Sequence, residues 1–292
     1  MMPTFEDNSA LPLGENASAG STKPVLQLPP VPPEEHLPDD LRVPWSWTHV
    51  ILFLVFAAGS TIVIPVLFAS YLMVARQMKI GEVEKFLTSN AAFAVGGQVL
   101  IFAAWMLFLY VTIGLIKETP FWRGIGWRPL QPKAMSRGGA VGLFFVAGVA
   151  LAIFVSTAGS KVHPKGKVPI EELFNDRNGT LLLMGLAVLV APLVEETIFR
   201  GFLYPVIARS FGVPTGIVVT GILFGLLHGL QLGWAWGLVG LLTLVGIAFT
   251  YARARTGTVL ASYLCHLGYN FMLFVGTAIA TKGFTRFPPS IP

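Results

Sequence analysis

The feature that most constrains the fold is a series of long apolar segments that are nearly free of charge. Seven such segments can be recognised, and they run roughly over residues 46–75, 91–116, 138–157, 180–207, 213–230, 234–252 and 258–281. About 20 apolar residues in a helix span the hydrocarbon core of a bilayer. Inside lipid a helix satisfies its own backbone hydrogen bonds, and the alternating pattern typical of barrel strands is absent. The sequence therefore predicts an all-α polytopic membrane helix bundle with about seven spans.

The low charge of the chain also indicates a membrane environment. Only 12% of the residues are charged and the mean hydropathy is +0.69, whereas soluble domains carry about 25% charged residues. The net charge of +5 is spread over the loops and forms no basic patch for nucleic acid. We therefore expect a multi-pass integral membrane protein, in the cell membrane if the chain is bacterial. Its expected partner is the lipid bilayer and not a nucleic acid.

The two ends of the chain differ from its centre. Residues 1–44 contain nine prolines, seven acidic residues and two basic residues, a composition typical of disordered segments. They lack the basic start and the apolar core of a signal peptide. The sequence therefore predicts a disordered, acidic, proline-rich tail over 1–44, a transmembrane domain over 45–282 and a C-terminal tail over 283–292.

A few polar residues lie inside the last four apolar segments, where they are costly. Glu195 and Glu196, in the stretch LVAPLVEETIFRGFLYPVI, are the only acidic residues after Asp176. An ionisable side chain within a membrane span usually marks a functional site or an ion pair, because its burial in lipid is unfavourable. Away from the segment ends, the polar residues that stand out are Glu195, Glu196, Arg200, His228, His266 and Asn270.

The two glutamates have different local surroundings. Arg200 follows Glu196 by four residues on one helical face, with the acid on the N-terminal side, which is the favourable order for an ion pair. This spacing predicts a structural pair. Glu195 points about 100° away around the helix and has no local cation. A carboxylate of this kind in a protein-lined cavity is a candidate general base.

Two histidines and an asparagine follow on later segments. Phe224 precedes His228 by four residues and Asn270 follows His266 by four, so each pair shares a helical face. Taken singly, a buried histidine can simply form a hydrogen bond, and an asparagine can join two helices. Together with Glu195 they can supply a base, a charge-assisted donor and an oxyanion clamp, or they can bind a metal. Either arrangement can hydrolyse a bond with an activated water.

Three short motifs in this region resemble those of a known protease family. EETIFR fits E-E-x-x-x-R, FGLLH fits F-x-x-x-H and HLGYN fits H-x-x-x-N, in this order along the chain. Their order resembles the CAAX-protease and bacteriocin-processing (CPBP) family of intramembrane metalloproteases, which includes the type II CAAX prenyl endopeptidases. The resemblance covers about residues 180–275, so the catalytic residues would lie on the later helices.

The resemblance implies an all-helical hydrolase that cleaves peptide bonds from a cavity within the membrane. Glu195 and His228 would activate the water, while His266 and Asn270 would stabilise the oxyanion. The expected substrate is a protein or peptide, and some relatives use a prenylated one. By this resemblance the catalytic residues are Glu195, His228, His266 and Asn270, and the supporting residues are Glu196, Arg200 and Phe224.

The resemblance leaves the role of a metal open. The family is labelled a metalloprotease family, yet related enzymes are also described as glutamate-dependent and free of metal. Glu195, His228 and His266 could bind Zn²⁺, because three protein ligands plus a water are the usual catalytic arrangement. The same three residues could equally act as a base and donors.

A second function class fits the same buried polar residues. A non-enzymatic membrane carrier or immunity scaffold could use them to bind a ligand or a proton, although the internal repeat common in transporters is not evident. The discriminating observation is whether the polar residues converge on one cavity. If Glu195 lay more than about 10 Å from both histidines, no proton could pass between them and the protease interpretation would fail.

Overall fold

A computed structural model describes residues 38–162 and 177–285, which consist of helices joined by turns and short loops. Most of the predicted N-terminal tail, 1–44, and of the predicted C-terminal tail, 283–292, lies outside these ranges. Within them the α-helices are α1 Trp47–Ala75, α2 Ile80–Ser89, α3 Ala91–Leu109, α4 Phe121–Gly124, α5 Arg137–Gly159, α6 Arg177–Gly185, α7 Ala191–Glu196, α8 Tyr204–Phe211, α9 Val213–Leu227, α10 Trp236–Thr256 and α11 Val259–Ala280. Three π-helical segments continue these helices without a break: Tyr110–Ile116, Leu186–Val190 and Thr197–Leu203.

Six helical stretches of the described chain are long and apolar enough to cross a membrane, namely Trp47–Ala75, Ala91–Ile116, Arg137–Gly159, Arg177–Phe211, Trp236–Thr256 and Val259–Ala280. The predicted segment 213–230 forms the shorter apolar helix α9, which has 15 residues. At its usual rise α9 is about 22 Å long, less than the roughly 30 Å of a bilayer core. The predicted all-α polytopic bundle is thus confirmed, with six long helices and one short helix in place of seven full spans.

The outer face of α1 is apolar. Ile51, Val55, Ile62 and Leu67 are between 57% and 68% exposed in the isolated chain. A continuous exposed apolar face of this length is unfavourable in water but matches the acyl chains of a bilayer. Together with the six long helices, this face identifies a multi-pass integral membrane protein.

Glycines allow the helices around the centre of the bundle to approach closely. A Cβ at Gly148 of α5 would overlap the backbone carbonyl of Cys265 in α11, and one at Gly268 would overlap the carbonyl of Phe145. A Cβ at Gly221 of α9 would likewise meet the backbone of α10. Small residues at such crossings are the usual means of helix packing in lipid. These glycines bring α5 against α11 and α9 against α10.

The stretch Arg177–Phe211, which we call the glutamate helix, runs without interruption through Glu195 and Glu196. The predicted segment 180–207 thus continues as a helix past its polar residues. It does so by changing pitch, because π-helical segments precede and follow α7. Pro192, in the first turn of α7, lacks the N–H that a regular helix uses, and a change of pitch accommodates it. Such π segments are frequent at functional sites.

Residues 38–44, the described part of the predicted tail 1–44, pack against the helices. Leu41 is 1% exposed. Asp40 forms an ion pair with Arg253 of α10, with 2.6 Å between the carboxylate Oδ2 and the guanidinium Nη1. The folded unit therefore begins before α1.

Candidate active site

Glu195 meets two histidines from separate helices. Its Oε2 lies 3.9 Å from Nε2 of His228, at the end of α9, and 3.9 Å from Nε2 of His266, in α11. Both distances fall well inside the roughly 10 Å beyond which no proton could pass between these groups. The acid and the two imidazoles therefore share one space.

The backbone of α9 fixes the orientation of the His228 ring. Its Nδ1 lies 2.8 Å from the carbonyl oxygen of Phe224. Because a carbonyl only accepts hydrogen bonds, Nδ1 carries the hydrogen, and Nε2 of the neutral ring turns a lone pair toward Glu195. The Phe224 ring packs against the imidazole with 4.7 Å between ring centroids. Phe224 therefore supports His228 through both its carbonyl and its ring.

A buried carboxylate orients the His266 ring in a similar way. Its Nδ1 donates to Oε1 of Glu196 over 2.9 Å, which leaves Nε2 facing Glu195. The ring of Phe249, in α10, stacks on this imidazole with 4.8 Å between centroids. The sequence predicts only the contact of Glu196 with Arg200, and it predicts no role for Phe249. No local spacing could show either contact, because the partners lie on different helices.

Glu196 and Arg200 form the predicted ion pair. Nη1 of Arg200 lies 2.8 Å from Oε1 of Glu196, and both side chains are 0% exposed. The guanidinium also donates to the carbonyl of Gly246 and to the hydroxyl of Thr250, and it lies 4.6 Å from the centroid of the Phe224 ring. A buried ion pair needs such additional partners, because each charge has lost its hydration.

Accessibility divides the cluster into an open part and a sealed part. The side chains of Glu195 and His228 are 17% and 20% exposed. Those of His266, Glu196 and Arg200 are 5%, 0% and 0% exposed. Glu195 and His228 can therefore contact water or a substrate. The buried pair of Glu196 and Arg200 holds the His266 ring at its Nδ1 atom.

Asn270, one turn after His266, has a partner that its sequence position does not indicate. Its amide nitrogen donates to the backbone carbonyl of Ala187, in the first π segment of the glutamate helix, over 2.7 Å. One of its two amide hydrogens is used in this bond. The oxyanion role that the resemblance implies for Asn270 stays a prediction.

The fit of a zinc ion can be judged from the positions of the three expected ligands. Oxygen and imidazole nitrogen are suitable donors, and both Nε2 atoms are free of hydrogen in the neutral rings. Bonds of about 2.1 Å in a tetrahedron place ligand atoms about 3.4 Å apart, whereas Oε2 of Glu195 lies 3.9 Å from each nitrogen. As placed, the described His, Cys, Asp and Glu residues form no group of three that could hold a metal ion. Zn²⁺ stays a prediction.

The loop before α5 also contacts the glutamate helix beside the site. Nε1 of Trp127 donates to Oγ1 of Thr197 over 3.0 Å, and this hydroxyl donates in turn to the carbonyl of Leu193. A Cβ at Gly201 would overlap the carbonyl of Ile125 in the same loop. Sequence reasoning missed this contact, because a tryptophan in a loop between spans is equally expected as an interface anchor.

Comparison with known proteins supports the resemblance. Residues 177–272 match a family described as "Type II CAAX prenyl endopeptidase Rce1-like". Neither the curated proteins nor the solved structures that were compared with the chain gave a match. The matched range begins with the glutamate helix and ends after Asn270, so it includes every residue of the cluster. The family suggests endopeptidase activity of the CAAX-protease type on a peptide substrate. Over residues 177–272 this chain thus matches the Rce1-like type II CAAX prenyl endopeptidases, the protease family that its three motifs predicted.

Proposed function

We propose that the protein is an intramembrane endopeptidase that hydrolyses a peptide bond with a water molecule held between Glu195 and the two histidines. The observation that carries this proposal is the position of Oε2 of Glu195, which lies 3.9 Å from each Nε2. A single water with hydrogen bonds of about 2.8 Å fits across a gap of this width. The direct contacts are too long for hydrogen bonds, so the three groups are free to bind such a water.

The two open residues act on this water. Glu195 accepts one proton while the water oxygen forms a bond to the carbonyl carbon of the substrate. Nε2 of His228 accepts a hydrogen bond from the second O–H of the water, which stays intact, and thereby orients the attacking oxygen. When the C–N bond breaks, the proton held by Glu195 passes to the departing amine. The reaction consumes one water and leaves a new carboxyl terminus and a new amino terminus.

The buried residues balance the charge of the site. Glu195, Glu196 and Arg200 together carry one negative charge when both imidazoles are neutral, so one further proton neutralises the cluster. When His266 carries that proton at Nε2, it can donate to the oxyanion of the tetrahedral intermediate. Its ring is already oriented for this, because Nδ1 is held by Glu196.

The depth of the site favours a substrate that is itself held by the membrane. Glu195 lies near the middle of the 35-residue glutamate helix, about 25 Å from either end at the usual helical rise. A polar peptide bond reaches this depth more easily when a lipid anchor keeps it at the bilayer. We therefore propose a prenylated protein or peptide as the substrate, in agreement with the description of the matched family.

A cleavage assay in a defined bilayer tests both parts of the proposal. The purified protein in lipid nanodiscs would receive a peptide with a C-a-a-X terminus, once prenylated at the cysteine and once unmodified. Mass spectrometry would identify the products. We expect cleavage of the prenylated peptide by the wild type and none by Glu195→Gln. Equal cleavage of both peptides would refute the prenyl requirement. Binding without cleavage would favour the non-enzymatic carrier.

A further inference from the structure

We propose that Ser262 is a positioning residue whose hydroxyl donates to the second oxygen of Glu196 and thereby fixes the carboxylate that orients His266. The proposal rests on the proposed function, because it takes Nε2 of His266 to be the donor to the oxyanion. Ser262 is 0% exposed, so it acts through Glu196 and His266 and not on the substrate.

The carboxylate of Glu196 has its hydrogen bonds at one oxygen only. Its Oε1 accepts from Nη1 of Arg200 and from Nδ1 of His266. Its Oε2 is buried and receives no hydrogen bond from the residues that the structure describes. Both oxygens of an ionised carboxylate are acceptors, and a buried acceptor without a donor is costly because it has lost its hydration. A further donor at Oε2 would therefore stabilise the site.

Ser262 is placed to supply that donor. It lies four residues before His266 in α11, so the two side chains share the helical face from which His266 reaches Glu196. The Ser262 hydroxyl lies within hydrogen-bonding reach of the Glu196 carboxylate. Both residues are 0% exposed, so the contact is sealed within the protein.

The hydroxyl can turn to Glu196 without leaving its present partner unsatisfied. Oγ of Ser262 donates to the carbonyl of Val259 over 2.9 Å. In the regular pattern of α11 this carbonyl also accepts the backbone N–H of Tyr263. A serine hydroxyl rotates to suit its surroundings, and a hydrogen bond to a charged oxygen is roughly twice as strong as one to a neutral carbonyl. The hydroxyl hydrogen therefore favours the carboxylate.

The first turn of α11 holds Ser262 in place. The N–H of Val259 donates to the carbonyl of Gly126 over 2.9 Å. The hydroxyl of Thr258 accepts from the N–H of Leu260 over 3.1 Å and caps the helix. The Ser262 hydroxyl thus approaches Glu196 from a fixed position. Donors at both oxygens prevent the carboxylate from rotating, and the His266 ring then keeps its Nε2 toward Glu195.

The test compares Ser262→Ala, which removes the hydroxyl, with Ser262→Thr, which keeps it. Turnover number, KM and melting temperature would be measured, with cleavage followed below the lowest melting temperature. We expect Ser262→Ala to lose about 10- to 100-fold in kcat with KM unchanged, as is usual for a group that orients an active-site histidine. Ser262→Thr should regain most of that loss. Ser160→Ala is the matched control and should change nothing, because the Ser160 hydroxyl also donates to a carbonyl three residues earlier.

A second measurement does not depend on cleavage. Ser262→Ala would be introduced into the wild type and into the double variant Glu196→Ala/Arg200→Ala, in which the carboxylate and its cation are both removed. It should lower the melting temperature of the wild type and leave that of the double variant unchanged, because two residues in contact are coupled.

The outcomes separate a positioning role from a structural one. Wild-type kcat in Ser262→Ala would overturn the proposal, even if the melting temperature fell, because Ser262 would then serve stability alone. Equal losses of kcat in the alanine and threonine variants would overturn it as well, since the hydroxyl would not be the group that matters. An equal fall in melting temperature with and without Glu196 would also overturn it. If the wild type cleaves no peptide, the proposed function has failed, and a melting effect that requires Glu196 still establishes the contact.

Discussion

The Oε1 atom of Glu196 receives hydrogen bonds from Nη1 of Arg200 at 2.8 Å and from Nδ1 of His266 at 2.9 Å. One buried oxygen thus joins an ion pair within the glutamate helix to an imidazole of α11. The adjacent residue, Glu195, stays partly exposed and faces the other nitrogen of the same imidazole. The two neighbouring carboxylates therefore have different roles. Glu196 holds the site together, and Glu195 takes part in the proposed chemistry.

Glu195→Gln should abolish peptide cleavage and leave the melting temperature unchanged. Loss of a general base typically costs about 10²–10⁴-fold in rate. Stability should be preserved because both histidine nitrogens lie 3.9 Å from the carboxylate, beyond hydrogen-bond distance. Cleavage rate and melting would be measured on purified protein, with Glu118→Gln outside the spans as the control. Retention of a tenth or more of the wild-type rate would remove Glu195 from the role of base.

Glu196→Ala and Arg200→Ala should each destabilise the fold by about 3–5 kcal/mol, because each leaves an unpaired charge in a buried position. The double variant should lose less than the sum of the two single losses. Unfolding of all three variants in the same detergent gives the coupling free energy. Simple additivity would show that the two side chains do not act as a pair.

His228→Ala and His266→Ala should differ in their effect on stability. Both should lose cleavage, because both Nε2 atoms face Glu195. Only His266→Ala should also lower the melting temperature, because it removes a hydrogen-bond donor from the buried Glu196. His228 is partly exposed, and its ring bonds to a carbonyl of its own helix. A buried group without its partner costs about 1–3 kcal/mol. Equal melting temperatures for the two variants would contradict the division into sealed and open parts.

Gly148→Ala should destabilise the crossing of α5 and α11. The added Cβ would overlap the carbonyl of Cys265, and overpacking of this kind typically costs about 1–3 kcal/mol. Gly142→Ala is the matched control, because a Cβ there meets nothing within 4 Å. Cleavage should fall with Gly148→Ala as well, since the displaced backbone carries His266. The prediction is contradicted if the two alanine variants melt at the same temperature.

The sequence identified Glu195, His228 and His266 because ionisable residues are rare within membrane spans, and the structure brings these three together. Their catalytic roles stay predictions. The pair of Glu196 and Arg200 was also predictable, because both residues lie on one helical turn. Local spacing governs such contacts, so the sequence alone can indicate them.

Contacts between distant residues could not be predicted in this way. The bond of Asn270 to Ala187 spans 83 residues, and it depends on a π-helical pitch that has no clear sequence pattern. The contact of Trp127 with Thr197 depends on the path of a loop. The length of α9 was overestimated, because its apolar composition continues past its end at Leu227 into a turn.

The distribution of the site over α7, α9 and α11 has a consequence for biogenesis. A chain enters the membrane in the order of its synthesis, so Glu195 and His228 are inserted before His266 exists. Until α11 follows, the carboxylate of Glu196 lacks its hydrogen bond from His266 and the second imidazole is absent. Under the proposed function, the site is therefore incomplete and cannot cleave neighbouring proteins in the membrane until α11 has been inserted.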